Sequence, residues 1–148
     1  MSILGGSAAH PMDAKGRVSL PAKHRRILPD DLVILPSPDK AFPSLWIYSN
    51  DAYEAWVEAV IESKGGFQAN SASHSHLARV LYGKKEDISC DSAGRILIPH
   101  DLRRYASLEK SVVVIGAGNH IEIWNPSILE QSDTFYTETQ HVEIFDLP

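Results

Sequence analysis

The hydrophobic pattern of the chain repeats itself in its two halves. In each half, apolar residues alternate with polar ones over a few positions, or follow one another over four or five positions, and both patterns favour short strands. A proline opens a short helical stretch in the middle of each half. The predicted order is therefore strand, turn, strand, short helix, strand, loop and strand, twice, which indicates a mostly β protein with helices (α+β).

The predicted elements fall at equivalent places in the two halves. In the first half, strands are expected within residues 1–12 and at 17–20, 32–35 and 45–48, with a short helix at 22–28. In the second half, strands are expected at 87–90, 95–98, 111–115 and 120–124, with a short helix at 99–106. The segment from Gly116 to Asn119 lies between two strands, so we interpret it as a hairpin turn rather than a dinucleotide-binding loop.

Two longer helices are predicted between the halves, at 51–63 and 71–82. Ser49 or Asn50 can cap the first of them. Its apolar stripe is more typical of core packing than of a cofactor site, and it consists of Tyr53, Trp56, Val57, Val60 and Ile61. Beyond Trp124 the chain has no clear period, and we expect this tail to be partly disordered.

One 13-residue pattern occurs twice. DAKGRVSLPAKHR begins at Asp13, and DSAGRILIPHDLR begins at Asp91, an offset of 78 residues without a gap. The Asp, Gly, Arg, Pro and closing Arg are identical, which indicates a duplicated module. We therefore divide the chain into a first module (1–49), a helical connection (50–83), a second module (84–125) and an acidic tail (126–148).

The negative net charge of the chain comes from its C-terminal segment and hides a basic region near the N-terminus. The chain of 148 residues has a formal net charge of −5. The segment after Trp124 accounts for this value, since it holds five acidic residues and no Lys or Arg. Residues 10–26, in contrast, carry five basic residues against Asp13 alone. Such a basic patch is typical of a phosphate-binding face, although a solvated surface strip is the simpler alternative.

The duplicated pattern contains two kinds of residue. Asp and Gly suit a tight turn, and Pro suits the start of the short helix that follows the strand, so we expect structural roles for Asp13, Gly16, Pro21, Asp91, Gly94 and Pro99. Arginine presents a planar donor fork that suits phosphate or a guanine edge. The predicted DNA-binding residues are Lys15, Arg17, Arg25, Arg26, Arg95, Arg103 and Arg104. Because the second copy has Ala93 at the turn and Asp101 in its helix, we expect the first copy to bind more strongly.

Other classes of function have weaker support in the sequence. His74 and His76 are two residues apart, which would direct their rings to different faces of a helix, and no Cys or acidic partner stands at metal spacing. No nucleophile-elbow pattern is present. The single Cys90 cannot form an internal disulfide, no apolar run approaches the ~20 residues that span a bilayer, and the first ten residues lack the features of a signal peptide. We expect a cytoplasmic protein that is not an enzyme and has no metal, no cofactor, no small-molecule substrate and no membrane contact.

The two copies of the pattern, together with SVVVIGAGNHIEIW in the second half, closely resemble the bacterial MraZ family. The resemblance implies two tandem AbrB/SpoVT-like swapped-hairpin modules that pair into one pseudo-symmetric β-barrel-like core, and a ring-shaped homo-oligomer. It also implies a nucleoid-associated transcriptional regulator that binds double-stranded DNA at promoter repeats upstream of the division and cell-wall gene cluster. His10 and Ile88 depart from the basic residues of the wider AbrB-like group, and the start at Ile3 departs from the family's usual Phe.

Two alternatives to a DNA-binding regulator remain at this stage. A small module with little core of its own needs a partner surface, so the modules could serve assembly alone, as an interaction scaffold without DNA. An AbrB-like antitoxin, whose tail masks a toxin, is the other alternative, and the duplication argues against it.

Overall fold

The computed structural model describes residues 3–66, 68 and 70–139. Eight strands and five helices form this part of the chain, so the α+β prediction is confirmed. The strands are β1 (Ser7–Pro11), β2 (Arg17–Ser19), β3 (Asp31–Pro36), β4 (Leu45–Ser49), β5 (Glu86–Ser89), β6 (Arg95–Leu97), β7 (Ser111–Gly116) and β8 (Ile121–Trp124). The helices are α1 (Ala22–Arg25), α2 (Asn50–Ser63), α3 (Ala72–Gly83), α4 (His100–Tyr105) and α5 (Pro126–Thr139).

Six of the strands form one antiparallel sheet in which the two copies are interlocked. The strand order is β1-β7-β8-β4-β3-β5. The first strand of each copy pairs with a strand of the other copy, β1 with β7 and β5 with β3, while β4 and β8 pair at the centre. If each strand is replaced by its equivalent in the other copy, the same order is obtained from the opposite edge of the sheet. The sheet is therefore pseudo-symmetric, and each copy contributes three strands to it.

The remaining two strands form a short antiparallel ribbon, and here too one strand comes from each copy. Arg17 pairs with Leu97, Val18 with Ile96 and Ser19 with Arg95. Val18 and Ile96 are equivalent positions of the repeat, so the register places a local two-fold axis at this pair. Both side chains are fully buried, and the ribbon therefore turns one face to the core and the other to solvent.

The main core lies between the ribbon and the six-stranded sheet. Its fully buried members come from both copies in equivalent positions, for example Ile34 of β3 and Val112 of β7. Alternation along each strand sends these residues to one face. Burial of each such side chain contributes about 1.5–3 kcal/mol, and neither copy could enclose these residues without the other.

A second apolar cluster covers the opposite face of the sheet beside β3 and β4. Val33 and Tyr48 of the sheet pack against Tyr53 and Val57 of α2 and Leu81 of α3. The aromatic stripe of α2 is therefore core packing, as the sequence indicated. The Ser49 hydroxyl accepts a hydrogen bond from the Ala52 amide at 3.1 Å and caps α2.

The predicted disorder of the acidic tail is wrong for residues 126–139, which form α5. Asn125 begins this helix, since its side-chain oxygen accepts hydrogen bonds from the amides of Ser127 at 2.8 Å and Ile128 at 3.2 Å. Tyr136 donates a hydrogen bond to Asp39 at 2.7 Å, and Phe135 packs near Phe42. The remainder of the tail, residues 140–148, lies outside the described residues.

Candidate nucleic-acid interface

Each copy of the repeated pattern builds a turn that holds its own arginine. In the first copy, Asp13 Oδ1 accepts hydrogen bonds from the amides of Lys15 at 3.0 Å and Arg17 at 2.8 Å. Its other oxygen accepts one from Arg17 Nε at 2.6 Å. Gly16 closes the turn with φ +91°, a left-handed conformation that glycine adopts without strain.

The second copy repeats this geometry atom for atom. Asp91 Oδ1 accepts from the amides of Ala93 and Arg95, both at 2.9 Å, and Asp91 Oδ2 accepts from Arg95 Nε at 3.0 Å. Gly94 has φ +79°. The Asp, Gly and Arg of the pattern are thus needed together, because the carboxylate fixes both the backbone of the turn and the direction of the guanidinium group.

The turn carboxylates are ionised near neutral pH. Hydrogen bonds from the Arg17 amide and guanidinium group lower the pKa of Asp13 to about 2. Hydrogen bonds from Arg95 likewise lower the pKa of Asp91. Each carboxylate engages only the Nε edge of its arginine, so the terminal nitrogens of Arg17 and Arg95 make no hydrogen bond to the described residues. These nitrogens can donate hydrogen bonds to a phosphate or to a base edge.

The closing arginine of each pattern lies against the turn of the other copy. The Arg103 guanidinium group lies over Gly16, where a Cβ atom would come within 2.6 Å of its Cζ, and Arg25 lies over Gly94 at the same separation. The Nε of Arg103 donates to the Ile98 carbonyl at 3.0 Å, and that of Arg25 to the Leu20 carbonyl at 3.1 Å. Glycine is therefore required at both turns for a second reason, since any side chain would displace an arginine.

This exchange defines two composite half-sites. The first half-site consists of Asp13–Arg17 and Arg103, and the second consists of Asp91–Arg95 and Arg25. Backbone hydrogen bonds join the partners, from the Ile98 amide to the Gly16 carbonyl and from the Leu20 amide to the Gly94 carbonyl, both at 2.9 Å. The sequence could not reveal this arrangement, because it arises from the pairing of β2 with β6.

The composite half-sites alter the expected difference between the copies. The sequence assigned Arg25 to the strongly charged first copy and Arg103 to the weaker second copy. In the structure each turn receives one arginine from the other copy, so these two charges balance. At the turns themselves the difference that remains is Lys15 against Ala93, and stronger binding by the first copy stays a prediction that now rests mainly on Lys15.

The other predicted cations lie at the edges of these half-sites. Lys15 is exposed in the first turn, Arg26 follows α1, and Arg104 is exposed on α4. None of these three side chains forms an ion pair with a described residue. Pro21 and Pro99 stand at the N-caps of α1 and α4, where their extended backbone (ψ 142° and 143°) precedes the first helical residue.

The outer face of the ribbon carries Ser19 and Leu97, which were not among the binding residues predicted from the sequence. Arg17 and Ser19 of β2 lie on this face beside Arg95 and Leu97 of β6, because Val18 and Ile96 point to the core. Leu97 is 54% exposed. The available signal was the period of two in RILI, which places Leu97 on the polar side of its strand.

Among the described residues, no three His, Cys, Asp or Glu side chains are grouped as metal ligands would be. In the same part of the chain, each helix is too short or too polar to cross a bilayer.

Comparison with known proteins finds a family that matches the chain in two stretches. The family described as "MraZ protein, putative antitoxin-like" matches residues 3–72 and 81–140, one stretch for each copy. The chain belongs to the MraZ family. The predicted family is thereby confirmed, and each of the two MraZ matches includes the helix after the last strand of its copy, α2 or α5.

Similar proteins span most of the chain. A protein of Dechloromonas aromatica is 35% identical over 137 residues, which cover 90% of this chain and 88% of the relative. Relatives from Mycoplasmoides gallisepticum and Aromatoleum aromaticum are 33% and 37% identical, over 85% and 81% of this chain and 84% and 79% of their own lengths. All three are named "Transcriptional regulator MraZ", which agrees with the predicted class of protein.

Proposed function

We propose that this protein regulates transcription by binding double-stranded DNA with the outer face of the β2–β6 ribbon and the two composite half-sites. The observation that carries the proposal is the pair of equivalent Asp–Arg turns on either side of a local two-fold axis. Duplex DNA has a matching two-fold symmetry in its backbone. A symmetric pair of arginine forks is therefore suited to contact both strands.

The major groove is the part of duplex DNA that suits a ribbon of this type. A two-stranded antiparallel ribbon can enter the major groove, which is about 12 Å wide. There Arg17 and Arg95 would meet guanine edges or phosphates, each held in direction by its aspartate. Lys15, Arg26 and Arg104 would contact the phosphates on either side, and these contacts would position the protein without reading sequence.

Assembly is the second part of the proposal. Two arginine turns supply little affinity, and several ribbons on one particle would raise it through effective concentration. We infer a homo-oligomeric ring of AbrB/SpoVT-like swapped-hairpin modules with a barrel-like core, formed by segments 1–49 and 84–125. The inferred targets are promoter repeats upstream of the division and cell-wall gene cluster, which would place the protein at the nucleoid in the cytoplasm.

Selection of genomic fragments by the full-length protein, followed by titration at several salt concentrations, tests the proposal. We expect recovery of repeated promoter sites, and affinity that falls steeply with salt because bound phosphates release counterions. The double variant Arg17→Ala/Arg95→Ala should lose specific binding. The matched control is Arg79→Ala, which removes an exposed arginine from α3 on the other side of the sheet.

The result that would overturn the proposal is equally clear. If the wild-type protein selects no fragment at low salt, or if affinity does not change with salt, DNA binding by this face is wrong. A small protein that co-purifies under those conditions would favour the antitoxin alternative instead.

A further inference from the structure

Leu97 is an exposed apolar residue at the centre of a charged surface. It lies on the outer face of β6, directly opposite Arg17 and on the same side of the strand as Arg95. More than half of its surface is open to solvent, whereas its neighbours Ile96 and Ile98 are fully buried. Isolated exposed leucines are ordinary on protein surfaces, so the exposure alone carries no function.

The position of Leu97 within the duplication is what makes it informative. Its equivalent in the first copy is Ser19, which is also exposed and lies directly opposite Arg95. The two arginines are therefore equivalent in both position and chemistry, whereas Leu97 and Ser19 are equivalent in position only. The outer face of the ribbon is therefore two-fold symmetric in its backbone but not in its side chains. An apolar side chain lies opposite Arg17, and a hydroxyl group lies opposite Arg95.

We propose that Leu97 contacts the 5-methyl group of a thymine in the major groove, and that Ser19 faces the base edge at the equivalent place in the other half of the site. This rests on the proposed binding of DNA by the ribbon. Apolar side chains recognise thymine through its methyl group, while serine can exchange a hydrogen bond with several bases. The ribbon would then recognise an asymmetric base sequence, although its own polypeptide backbone is two-fold symmetric.

Uracil substitution tests the contact, since deoxyuridine removes the methyl group and leaves the base pair unchanged. The probe is a duplex that carries a repeat selected by the wild-type protein, with each thymine replaced in turn. Burial of one methyl group corresponds to about a threefold to fivefold change in affinity. We expect wild-type protein to lose affinity by this factor at one thymine of each site.

Three variants separate Leu97 from general effects. Leu97→Ser gives the second copy the residue of the first, and it should bind thymine and uracil duplexes equally well. Val80→Ser removes a comparably exposed apolar side chain from α3, and it should keep the preference for thymine. Ser19→Leu should create a second methyl-sensitive position in a duplex that carries a thymine at the equivalent place in the other half of the site.

The outcomes distinguish this inference from the function on which it rests. Absence of DNA binding by the wild-type protein would overturn both. Normal binding that is insensitive to every uracil, or a Leu97→Ser variant that keeps the wild-type sensitivity, would overturn the base contact alone. Thermal unfolding of each variant shows that it is folded, and the gain expected from Ser19→Leu does not depend on the stability of Leu97→Ser.

Discussion

His24 is a buried polar residue at a position where the second copy has an apolar one. Its side chain is 1% exposed on α1, and its Nδ1 atom has no hydrogen-bond partner among the described residues. The equivalent residue of α4 is Leu102, a member of the main core. A buried polar atom without a partner costs about 1–3 kcal/mol, so the first copy is the less well packed of the two at this position.

Replacement of His24 by leucine should therefore stabilise the protein, most strongly in acid. Burial lowers the pKa of His24 below the ordinary value of 6.5, and the nearby Lys23 and His10 act in the same direction. The unfolded chain consequently takes up a proton that the folded chain resists. The effect of His24 on the free energy of unfolding should be constant above pH 6.5, and the wild-type protein should become less stable as the pH decreases below this value.

Thermal unfolding between about pH 7 and about pH 5 measures this effect. His24→Leu should raise Tm, by roughly 2–4 °C for each kcal/mol gained in a domain of this size, and should flatten its dependence on pH. The reciprocal variant Leu102→His should lower Tm and steepen the dependence. A wild-type Tm that does not change over this range, or a His24→Leu variant that is less stable, would contradict this account of His24.

The roles of single residues could be predicted from the sequence only where the contacts are local. Asp13 and Arg17 are four residues apart, so the turn that joins them follows from the pattern and from the glycine between them. The contact of Arg25 with Gly94 crosses 69 positions of the sequence. It depends on how β2 pairs with β6, and no local pattern contains that information.

At the scale of elements, helix α5 shows where a periodic pattern fails. Its only buried residue in the described part of the chain is Ser132. The apolar residues of α5 are fewer than those of α2, and they are Ile128, Leu129, Phe135 and Tyr136. The stronger signal was the duplication itself, since α2 follows the last strand of the first copy as α5 follows β8. A repeat that includes a helix in one copy favours a helix in the other, even where the apolar residues are few.

The start of α5 depends on Asn125, which leads to a prediction about capping. Asn125 accepts hydrogen bonds from two amides of the first turn, and its Nδ2 donates to the Ser107 carbonyl at 2.7 Å. Asn125→Ala should lower the free energy of unfolding by about 1–2 kcal/mol, because the exposed amides lose their acceptor. Chemical denaturation followed by circular dichroism measures this loss.

Asn50→Ala is the matched control for Asn125→Ala. Asn50 also stands at the start of a helix, but Ser49 supplies the cap of α2, so the same substitution should change stability by less than about 0.5 kcal/mol. If both variants lose the same amount, the caps are assigned wrongly.

At the scale of the whole molecule, the two copies form one folding unit. Their strands are interlocked in the six-stranded sheet, and each composite half-site takes its turn from one copy and its closing arginine from the other. The duplication predicted two equivalent modules, but charge counted along the sequence cannot describe a surface that is assembled across them. This is why the sequence overstated the difference in charge between the two sites.

The composite half-sites make a prediction about pairs of arginines in DNA binding. Arg103 lies against the turn that holds Arg17, whereas Arg25 lies against the opposite turn. Residues that share a site are coupled by about 0.5–3 kcal/mol, while distant residues add within about 0.5 kcal/mol. In double-mutant cycles of affinity, Arg17→Ala should therefore couple to Arg103→Ala and be additive with Arg25→Ala.

The sequence alone favours the opposite result, because Arg17 and Arg25 belong to the same copy of the pattern. The cycle thus separates the two descriptions directly, and the pair Arg95 with Arg25 provides an independent repeat of the expected coupling. Stability measured on the same variants controls for the loss of the hydrogen bond from Arg103 to the Ile98 carbonyl. Stronger coupling of Arg17 to Arg25 than to Arg103 would contradict the composite half-sites. Each DNA-binding site would then consist of a turn and a short helix from the same copy.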